Sequence, residues 1–247
     1  MLKTAKKRRL FLLLALCAAL VLGCAVYVGD YYRADETALA ALQSSGKVTA
    51  ETSSDSILFI PAAEPVTGFI FYPGGKVEHT AYAPLLQELA QNGILCVLLE
   101  IPFRLAVLDM NAAEGIPTEL ASRFPTVTDW YLGGHSLGGS MAAIHLSKTL
   151  PDSPYQGLVL LASYSTADVS AFPVISLYGT EDQVLNFEKY AKYRSNLPGD
   201  TVEIPLEGGN HANFGSYGFQ KGDGMASLSA AEQLEMTVQY LLEFFGK

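Results

Sequence analysis

The stretch that decides the fold is Asp129-Trp130-Tyr131-Leu132-Gly133-Gly134-His135-Ser136-Leu137-Gly138. Residues 129–133 are mostly apolar and aromatic, which predicts a buried strand, and residues 139–150 are rich in Ala, Leu and Met, which predicts a helix that stops at Pro151. A Gly-x-Ser-x-Gly segment between a strand and a helix is typical of a sharp turn that exposes its serine as a nucleophile. Glycines on either side of Ser136 let the strand and the helix approach without a Cβ clash. The sequence therefore predicts Ser136 as a nucleophile.

Strand and helix signals alternate along the rest of the chain. The apolar runs that predict strands cover residues 48–52, 57–61, 68–72, 94–99, 157–162, 174–178 and 201–205. The segments that predict helices are residues 34–46, 83–92, 105–113 and 187–197, with a last helix that starts at a capping box formed by Ser229 and Glu232. Continuous apolar strands interleaved with helices predict an α/β fold with a mostly parallel, doubly wound sheet.

Several segments resemble the α/β-hydrolase superfamily, and within it the bacterial branch similar to dienelactone-hydrolase-like proteins. The matching segments cover nearly all of residues 47–247 and are Phe71-Tyr72-Pro73-Gly74-Gly75-Lys76-Val77, Ala81-Tyr82-Ala83-Pro84-Leu85, Leu105-Ala106-Val107, Asn111-Ala112-Ala113, the Ser136 segment through Gly139, Gly209-Asn210-His211 and Phe214-Gly215. This chain departs from dienelactone hydrolases in having Ser136 where those enzymes use cysteine. It also has Pro73 at the histidine position of the lipase-type His-Gly-Gly-Gly loop. Only residues 163–173 separate the two strands between which many esterases insert a lid, so we expect no cap domain.

A serine hydroxyl needs a base, and the base needs an acid that orients it. In the α/β-hydrolase fold these residues follow in the order serine, acid, histidine, on loops after later strands. The loop Gly179-Thr180-Glu181-Asp182 supplies Asp182 as the acid, with Glu181 and Asp168 as alternatives. His211 follows the next predicted strand and is the only histidine C-terminal to that acid. The predicted triad is Ser136, His211 and Asp182.

The loop after residues 68–72 is expected to help stabilise the oxyanion. Its paired glycines let the backbone approach a reacting carbonyl, so we expect the amide of Gly75 to act together with that of Leu137. Lys76 is the alternative donor if the loop is shifted by one residue. We interpret His135 and His145 as structural, whereas His79 lies near this loop and is a candidate substrate contact. The expected walls of the open site are residues 163–164, 103–104 and 214–219.

The N-terminus carries the pattern of a membrane anchor. Five basic residues precede an uncharged run over residues 10–29 that is long enough to cross a bilayer, and Asp30 follows it. This charge asymmetry predicts a cytoplasmic basic tail (1–9), a transmembrane signal anchor (10–29), a juxtamembrane segment (30–46) and an extracytoplasmic α/β-hydrolase domain (47–247). The segment Val21-Leu22-Gly23-Cys24 partly matches a lipoprotein cleavage box, which leaves a lipid anchor at Cys24 as the alternative.

Composition excludes several classes of partner. The formal charge of the chain is −9, and without its five basic tail residues the remainder carries −14, a surface that repels nucleic acid. Of the three cysteines, Cys17 and Cys24 lie in the membrane segment, so Cys96 has no disulfide partner in the exported domain. No Cys/His cluster has the spacing of metal ligands, and we expect neither a metal nor a cofactor.

The sequence thus predicts a membrane-tethered extracytoplasmic serine hydrolase that cleaves carboxylic esters through an acyl-enzyme. Its expected substrate is a small-molecule, lipid or glycan ester. Two alternatives remain open. An acyltransferase that modifies envelope glycans or lipids would use the same residues, and a non-catalytic binding protein could share the fold.

Overall fold

The computed structural model describes residues 2–149 and 153–247, which form two compact units divided between Tyr31 and Tyr32. The first unit contains helix α1 (Leu2–Gly29). Within it, Phe11–Gly29 has a mean hydropathy of 2.7, and is long and apolar enough to span a membrane or to act as a signal sequence. Met1, which belongs to the predicted basic tail, lies outside the described residues.

The second unit is built on a sheet of eight strands in the order β1-β2-β4-β3-β5-β6-β7-β8. The strands are β1 (Val48–Thr52), β2 (Ser56–Pro61), β3 (Thr67–Tyr72), β4 (Ile94–Leu99), β5 (Asp129–His135), β6 (Tyr155–Leu161), β7 (Val174–Gly179) and β8 (Val202–Leu206). Strands β3 to β8 run parallel, and β1 and β2 extend one edge in antiparallel pairing. The predicted α/β fold with a mostly parallel sheet is confirmed.

Helices pack on both faces of this sheet because the central strands are apolar on both sides. In β3, Phe69 and Phe71 join the hydrophobic core beneath α3 and α7, while Ile70 and Tyr72 join the core beneath α5. The helices of this unit are α2 (Glu36–Ala40), α3 (Ala83–Gln91), α4 (Ile116–Leu120), α5 (Leu137–Leu146), α6 (Phe187–Lys192) and α7 (Ala230–Phe244). Two buried faces explain why the strands have continuous rather than alternating hydrophobicity.

Helix limits agree with the sequence at α3 and at the C-terminal helix α7 and differ elsewhere. The capping box of Ser229 and Glu232 starts α7 as predicted. The helix after Ser136 ends at Leu146, and the predicted end at residues 150–151 lies outside the described residues. Residues 162–173, between β6 and β7, contain no helix or strand, in agreement with the predicted lack of a cap domain.

The predicted helix over residues 105–113 is wrong. Only Ala106–Leu108 forms one short 3₁₀ turn, and the backbone that follows forms separate turns, with the Ala112 N–H bonded to the Asp109 carbonyl and the Glu114 N–H to the Asn111 carbonyl. The Tyr72 hydroxyl donates to the Met110 carbonyl and accepts the Ala113 N–H, both at 3.0 Å. These two tertiary hydrogen bonds hold the segment in place of the helix that the local composition favours.

The close approach of strands β3 and β5 at Gly68 leads to a prediction about stability. A Cβ on Gly68 would overlap the ring of Trp130, which is 2% exposed, so Gly68→Ala is expected to cost about 1–3 kcal/mol through overpacking. Gly199→Ala is the matched control, because a Cβ there meets nothing within 4 Å. Denaturant midpoints of the detergent-solubilised protein, followed by circular dichroism, measure the difference. Equal midpoints for the two variants would contradict the prediction.

Candidate active site

Ser136 lies in a sharp turn between β5 and α5. Its backbone has φ 52° and ψ −122°, a region that non-glycine residues adopt only when surrounding contacts hold them there. A Cβ on Gly134 would lie 2.5 Å from the Tyr72 carbonyl oxygen, and one on Gly138 would overlap the same atom. The glycines are thus required sterically, as the sequence pattern indicates.

Hydrogen bonds hold the serine backbone and leave its hydroxyl unbonded. The Ser136 N–H donates to the Leu161 carbonyl at 2.9 Å, and the buried Ser163 hydroxyl donates to the Ser136 carbonyl at 2.7 Å. Within residues 2–149 and 153–247, no hydrogen bond is made by Ser136 Oγ. The side chain is therefore available to a substrate at the mouth of the turn.

Asp182 and His211 form a buried pair. His211 Nδ1 lies 2.8 Å from Asp182 Oδ2, and the two side chains are 2% and 0% exposed. The other carboxylate oxygen, Oδ1, accepts the N–H groups of Val184 and Leu185, each at 2.8 Å. These bonds fix the carboxylate, and the use of Nδ1 leaves Nε2 as the imidazole atom that can exchange a proton with a nucleophile.

Close backbone contact brings the acid loop and the histidine loop together. A Cβ on Gly179, which ends β7, would overlap the Gly209 carbonyl, and the Glu181 N–H donates to that carbonyl at 2.8 Å. The fully buried Gln233 of α7 holds the histidine loop, since its amide accepts the Asn210 N–H at 3.0 Å and donates to the Asn210 carbonyl at 2.8 Å. His211 is therefore fixed from both the sheet and the last helix.

The alternative acids lie away from this histidine. Asp168 is exposed, and its carboxylate accepts the N–H and hydroxyl of Ser170 at 2.9 and 2.6 Å. These two bonds lower the pKa of Asp168 below its ordinary value. Glu181 is exposed beside Asp182, which alone of the three candidates contacts His211 in the described hydrogen bonds.

Ser136 and His211 line one cavity of about 210 Å³. Of the expected walls, Ser163 and Tyr164 line it, whereas Phe103 and Arg104 line a separate cavity of about 370 Å³. His79, the candidate substrate contact, also lines the separate cavity, where it lies 3.8 Å from Glu100. The remaining residues of the Ser136 cavity are Leu137, Ser140, Ala162, Val184, Leu185 and Asn186.

Sequence reasoning missed the wall that the acid loop supplies. Val184 and Leu185 follow Asp182 directly, and the same turn that offers their N–H groups to the carboxylate places both residues at the cavity. The position of two aliphatic residues just after the predicted acid was the available signal.

Two backbone amides beside Ser136 are unbonded. Leu137 begins α5, and a Cβ on Gly75 would lie 3.0 Å from its Cδ2, so the two residues are neighbours. In the described part of the chain, neither the Gly75 N–H nor the Leu137 N–H has a hydrogen-bond acceptor. The Lys76 N–H, the alternative donor, is already bonded to the Arg104 carbonyl at 2.8 Å. This arrangement can accept an anionic oxygen between two donors.

Burial lowers the pKa of two other histidines in the core. His135 is fully buried with its ring centroid 4.4 Å from that of His211, and burial first, then the neighbouring His211, lowers the pKa of His135 well below its usual value. Burial also lowers the pKa of His145. The Nδ1 atom of this histidine lies 3.5 Å from Asn111 Oδ1. Among the described residues, no group of three or more His, Cys, Asp or Glu side chains is placed to hold a metal ion.

The fold and this geometry agree with the comparison with known families. The model of the alpha/beta hydrolase family matches residues 68–235, and the chain belongs to that family. The matched segment runs from β3 to α7 and therefore contains the serine turn, the acid loop and the histidine loop. The comparison with curated proteins found no match.

Solved structures share the fold at low sequence identity. Esterase 2 of Thermogutta terrifontis, phosphoramylated by tabun, has a TM-score of 0.57 and 17% identity over 82% of this chain and 96% of its own. A predicted CIB-like hydrolase from Thermoplasma acidophilum has a TM-score of 0.54 and 16% identity over 78% of this chain and 97% of its own. TT1662 from Thermus thermophilus has a TM-score of 0.56 and 16% identity over 79% of this chain and 98% of its own.

The acid assignment leads to a prediction. Asp182→Asn is expected to lower kcat for a p-nitrophenyl ester on the order of 10³-fold or more, because an amide cannot hold the imidazole in the required tautomer or stabilise its cation. Asp168→Asn and Glu181→Gln are matched controls that remove exposed charges and should retain kcat within about twofold. A crippled Asp168→Asn enzyme beside an active Asp182→Asn enzyme would place the acid elsewhere.

Proposed function

We propose that this protein is a membrane-tethered serine hydrolase that cleaves carboxylic esters outside the cytoplasm, with Ser136, His211 and Asp182 as its catalytic triad. The observation that carries the proposal is the buried Asp182–His211 pair, which shares one cavity with a serine held in a Gly-x-Ser-x-Gly turn. A non-catalytic protein has no need for an oriented imidazole beside an unbonded serine hydroxyl.

In the first half of the reaction, Ser136 Oγ attacks the ester carbonyl carbon while His211 Nε2 takes the hydroxyl proton. The carbonyl π bond opens, and its electron pair becomes an oxyanion. When the carbonyl re-forms, the bond to the alkoxy oxygen breaks, and His211 returns the proton to that oxygen. The products of this half are a free alcohol and an acyl group on Ser136.

In the second half, His211 takes a proton from water, whose oxygen attacks the acyl carbon. Collapse of the second oxyanion breaks the bond to Ser136 Oγ, which regains a proton from His211, and a carboxylic acid leaves. In both halves the unbonded amides of Gly75 and Leu137 donate to the oxyanion, and such donors are worth most while the charge develops.

The cavity favours small esters. A volume of about 210 Å³ is below the roughly 300–1,000 Å³ of typical drug-sized sites, and its walls are mainly aliphatic or small. The Thermogutta terrifontis protein of similar fold is an esterase that reacts with organophosphorus compounds, among them sarin and paraoxon. An organophosphorus probe is therefore a suitable test for this chain.

The membrane part of the proposal is supported by the apolar helix. Five basic residues precede Phe11–Gly29, and the one ionisable residue next to its end is acidic. Under the positive-inside rule this arrangement keeps residues 1–9 in the cytoplasm, residues 10–29 in the bilayer and the hydrolase domain outside. The proposed catalytic residues Ser136, Asp182 and His211 all belong to the second compact unit, so the proposed chemistry is the same for either form of attachment.

Replacement of the nucleophile is the primary test. Ser136→Ala is expected to lower ester hydrolysis by several orders of magnitude and to abolish fluorophosphonate labelling, because triad residues act as a unit. Ser163→Ala and Ser140→Ala, which replace cavity serines other than the nucleophile, should still be labelled. A Ser136→Ala protein that turns over ester near the wild-type rate would falsify the mechanism.

Topology is tested on intact cells whose outer surface is accessible. An impermeant fluorophosphonate is expected to label the wild-type protein before lysis, with Ser136→Ala as the unlabelled control. Labelling only after lysis would reverse the proposed orientation. Mass spectrometry of the N-terminus distinguishes an intact anchor from cleavage before Cys24 with added lipid, which would replace the anchor by a lipoprotein.

A further inference from the structure

The side chain of Tyr82 joins the glycine loop to the serine turn. Tyr82 is fully buried at the end of the 3₁₀ helix His79–Tyr82, and its hydroxyl lies 3.1 Å from the Gly74 nitrogen and 2.8 Å from His135 Nδ1. Gly74 precedes Gly75, and His135 precedes Ser136. One phenol thus contacts the residue before a proposed oxyanion donor and the residue before the proposed nucleophile.

The donor and acceptor roles in this cluster follow from chemistry. The Gly74 N–H can only donate, so the Tyr82 oxygen accepts it, and the single phenolic proton is left for His135 Nδ1. We assign Nδ1 as the unprotonated nitrogen, with the ring proton on Nε2, because in this tautomer the phenolic proton is also bonded. This assignment agrees with the burial that lowers the pKa of His135. Nδ1 is bonded to the Tyr82 hydroxyl, whereas Nε2 has no partner within hydrogen-bond geometry among the described residues.

The same loop is held on the other side of Gly75. The Lys76 N–H donates to the Arg104 carbonyl at 2.8 Å, while the Gly75 N–H between the two bonded amides is unbonded. Packing is tight at the Tyr82 side, since a Cβ on Gly74 would lie 2.6 Å from the Tyr82 oxygen and 2.8 Å from His135 Nδ1. The orientation of the free amide is therefore set by the bonds on its two neighbours.

We infer that Tyr82 is a positioning residue of the oxyanion site: its hydroxyl, oriented by His135, fixes Gly74 so that the Gly75 N–H is directed at the developing oxyanion. The inference rests on the proposed function. It also links the loop to the catalytic base, because the His135 ring lies against that of His211. Tyr82 itself is not among the residues that line the Ser136 cavity.

Tyr82→Phe tests this role, because it removes one oxygen and leaves Gly74 unbonded. The expected result is a fall in kcat on the order of tenfold or more with KM within about twofold, since an oxyanion donor acts in the transition state. Affinity for a trifluoromethyl ketone, whose adduct with Ser136 carries an oxyanion, should fall by a similar factor. Affinity for the alcohol product, which has no anionic oxygen, should not change.

Tyr72→Phe is the matched control. Tyr72 is also fully buried, and its hydroxyl also accepts one backbone N–H and donates once, but its partners are Ala113 and Met110. This variant should lose comparable stability in thermal unfolding and keep kcat and ketone affinity. Equal falls in the two variants, or unchanged kcat in folded Tyr82→Phe enzyme, would overturn the inference.

A second variant covers the case in which Tyr82→Phe does not fold. Gly74→Ala pushes the loop away from the Tyr82 oxygen, and it should lower kcat and ketone affinity together while KM changes little. If Gly74→Ala kept wild-type kcat and ketone affinity, the loop would need no such anchor and the inference would fail. Wild-type enzyme without esterase activity or Ser136-dependent labelling would instead refute the proposed function itself.

Discussion

No side chain separates the first turn of α5 from the end of β3, and the site depends on this close approach. Gly138 fits only because it lacks a Cβ that would overlap the carbonyl oxygens of Tyr72 and Pro73. Since β3 leads into the glycine loop and α5 begins directly after Ser136, the contact brings the loop, the serine and the first helical amide into one small volume. A larger residue at position 138 would push β3 and α5 apart, and with them the glycine loop and Ser136.

Conformational strain is concentrated at the same edge of the sheet. The non-glycine residues with positive φ in the described chain all follow parallel strands, and they are Lys76, Phe103, Arg104, Ser136 and Ala162. Such residues typically cost about 1–3 kcal/mol each and persist only where the surroundings hold them. The fully buried strands β3 and β4 provide that support. The buried strands are thus the rigid support, and the residues with positive φ lie at the carboxyl ends of these strands.

Much of this arrangement could be predicted from local sequence, because short-range signals carry it. Apolar runs predict the parallel strands, the glycines around Ser136 predict the turn, and the order of Asp182 and His211 on later loops predicts a pair that the structure brings to 2.8 Å. Residues 105–113 could not be predicted, since their conformation depends on Tyr72, far away in sequence.

The contacts around Tyr82 could not be predicted from the sequence for the same reason. Nothing in the order of residues shows that a phenol at position 82 reaches the imidazole at position 135, and side-chain networks of this kind depend on the packing of the whole domain. The cavity walls also depend on loop shape, which explains why Phe103 is expected at Ser136 from the sequence and lies in the separate cavity of about 370 Å³ in the structure.

The connection between β6 and β7 has a consequence for the evolution of this family. Residues 162–173 contain no helix or strand, and Ala162, Ser163 and Tyr164 at their start line the Ser136 cavity. Lengthening a flexible loop is thermodynamically cheap, since each doubling of its length costs only about 0.6 kcal/mol of closure entropy. Insertions at this single place in a gene can therefore reshape the entrance while leaving the reacting groups untouched, so that new substrate ranges arise without a new catalyst.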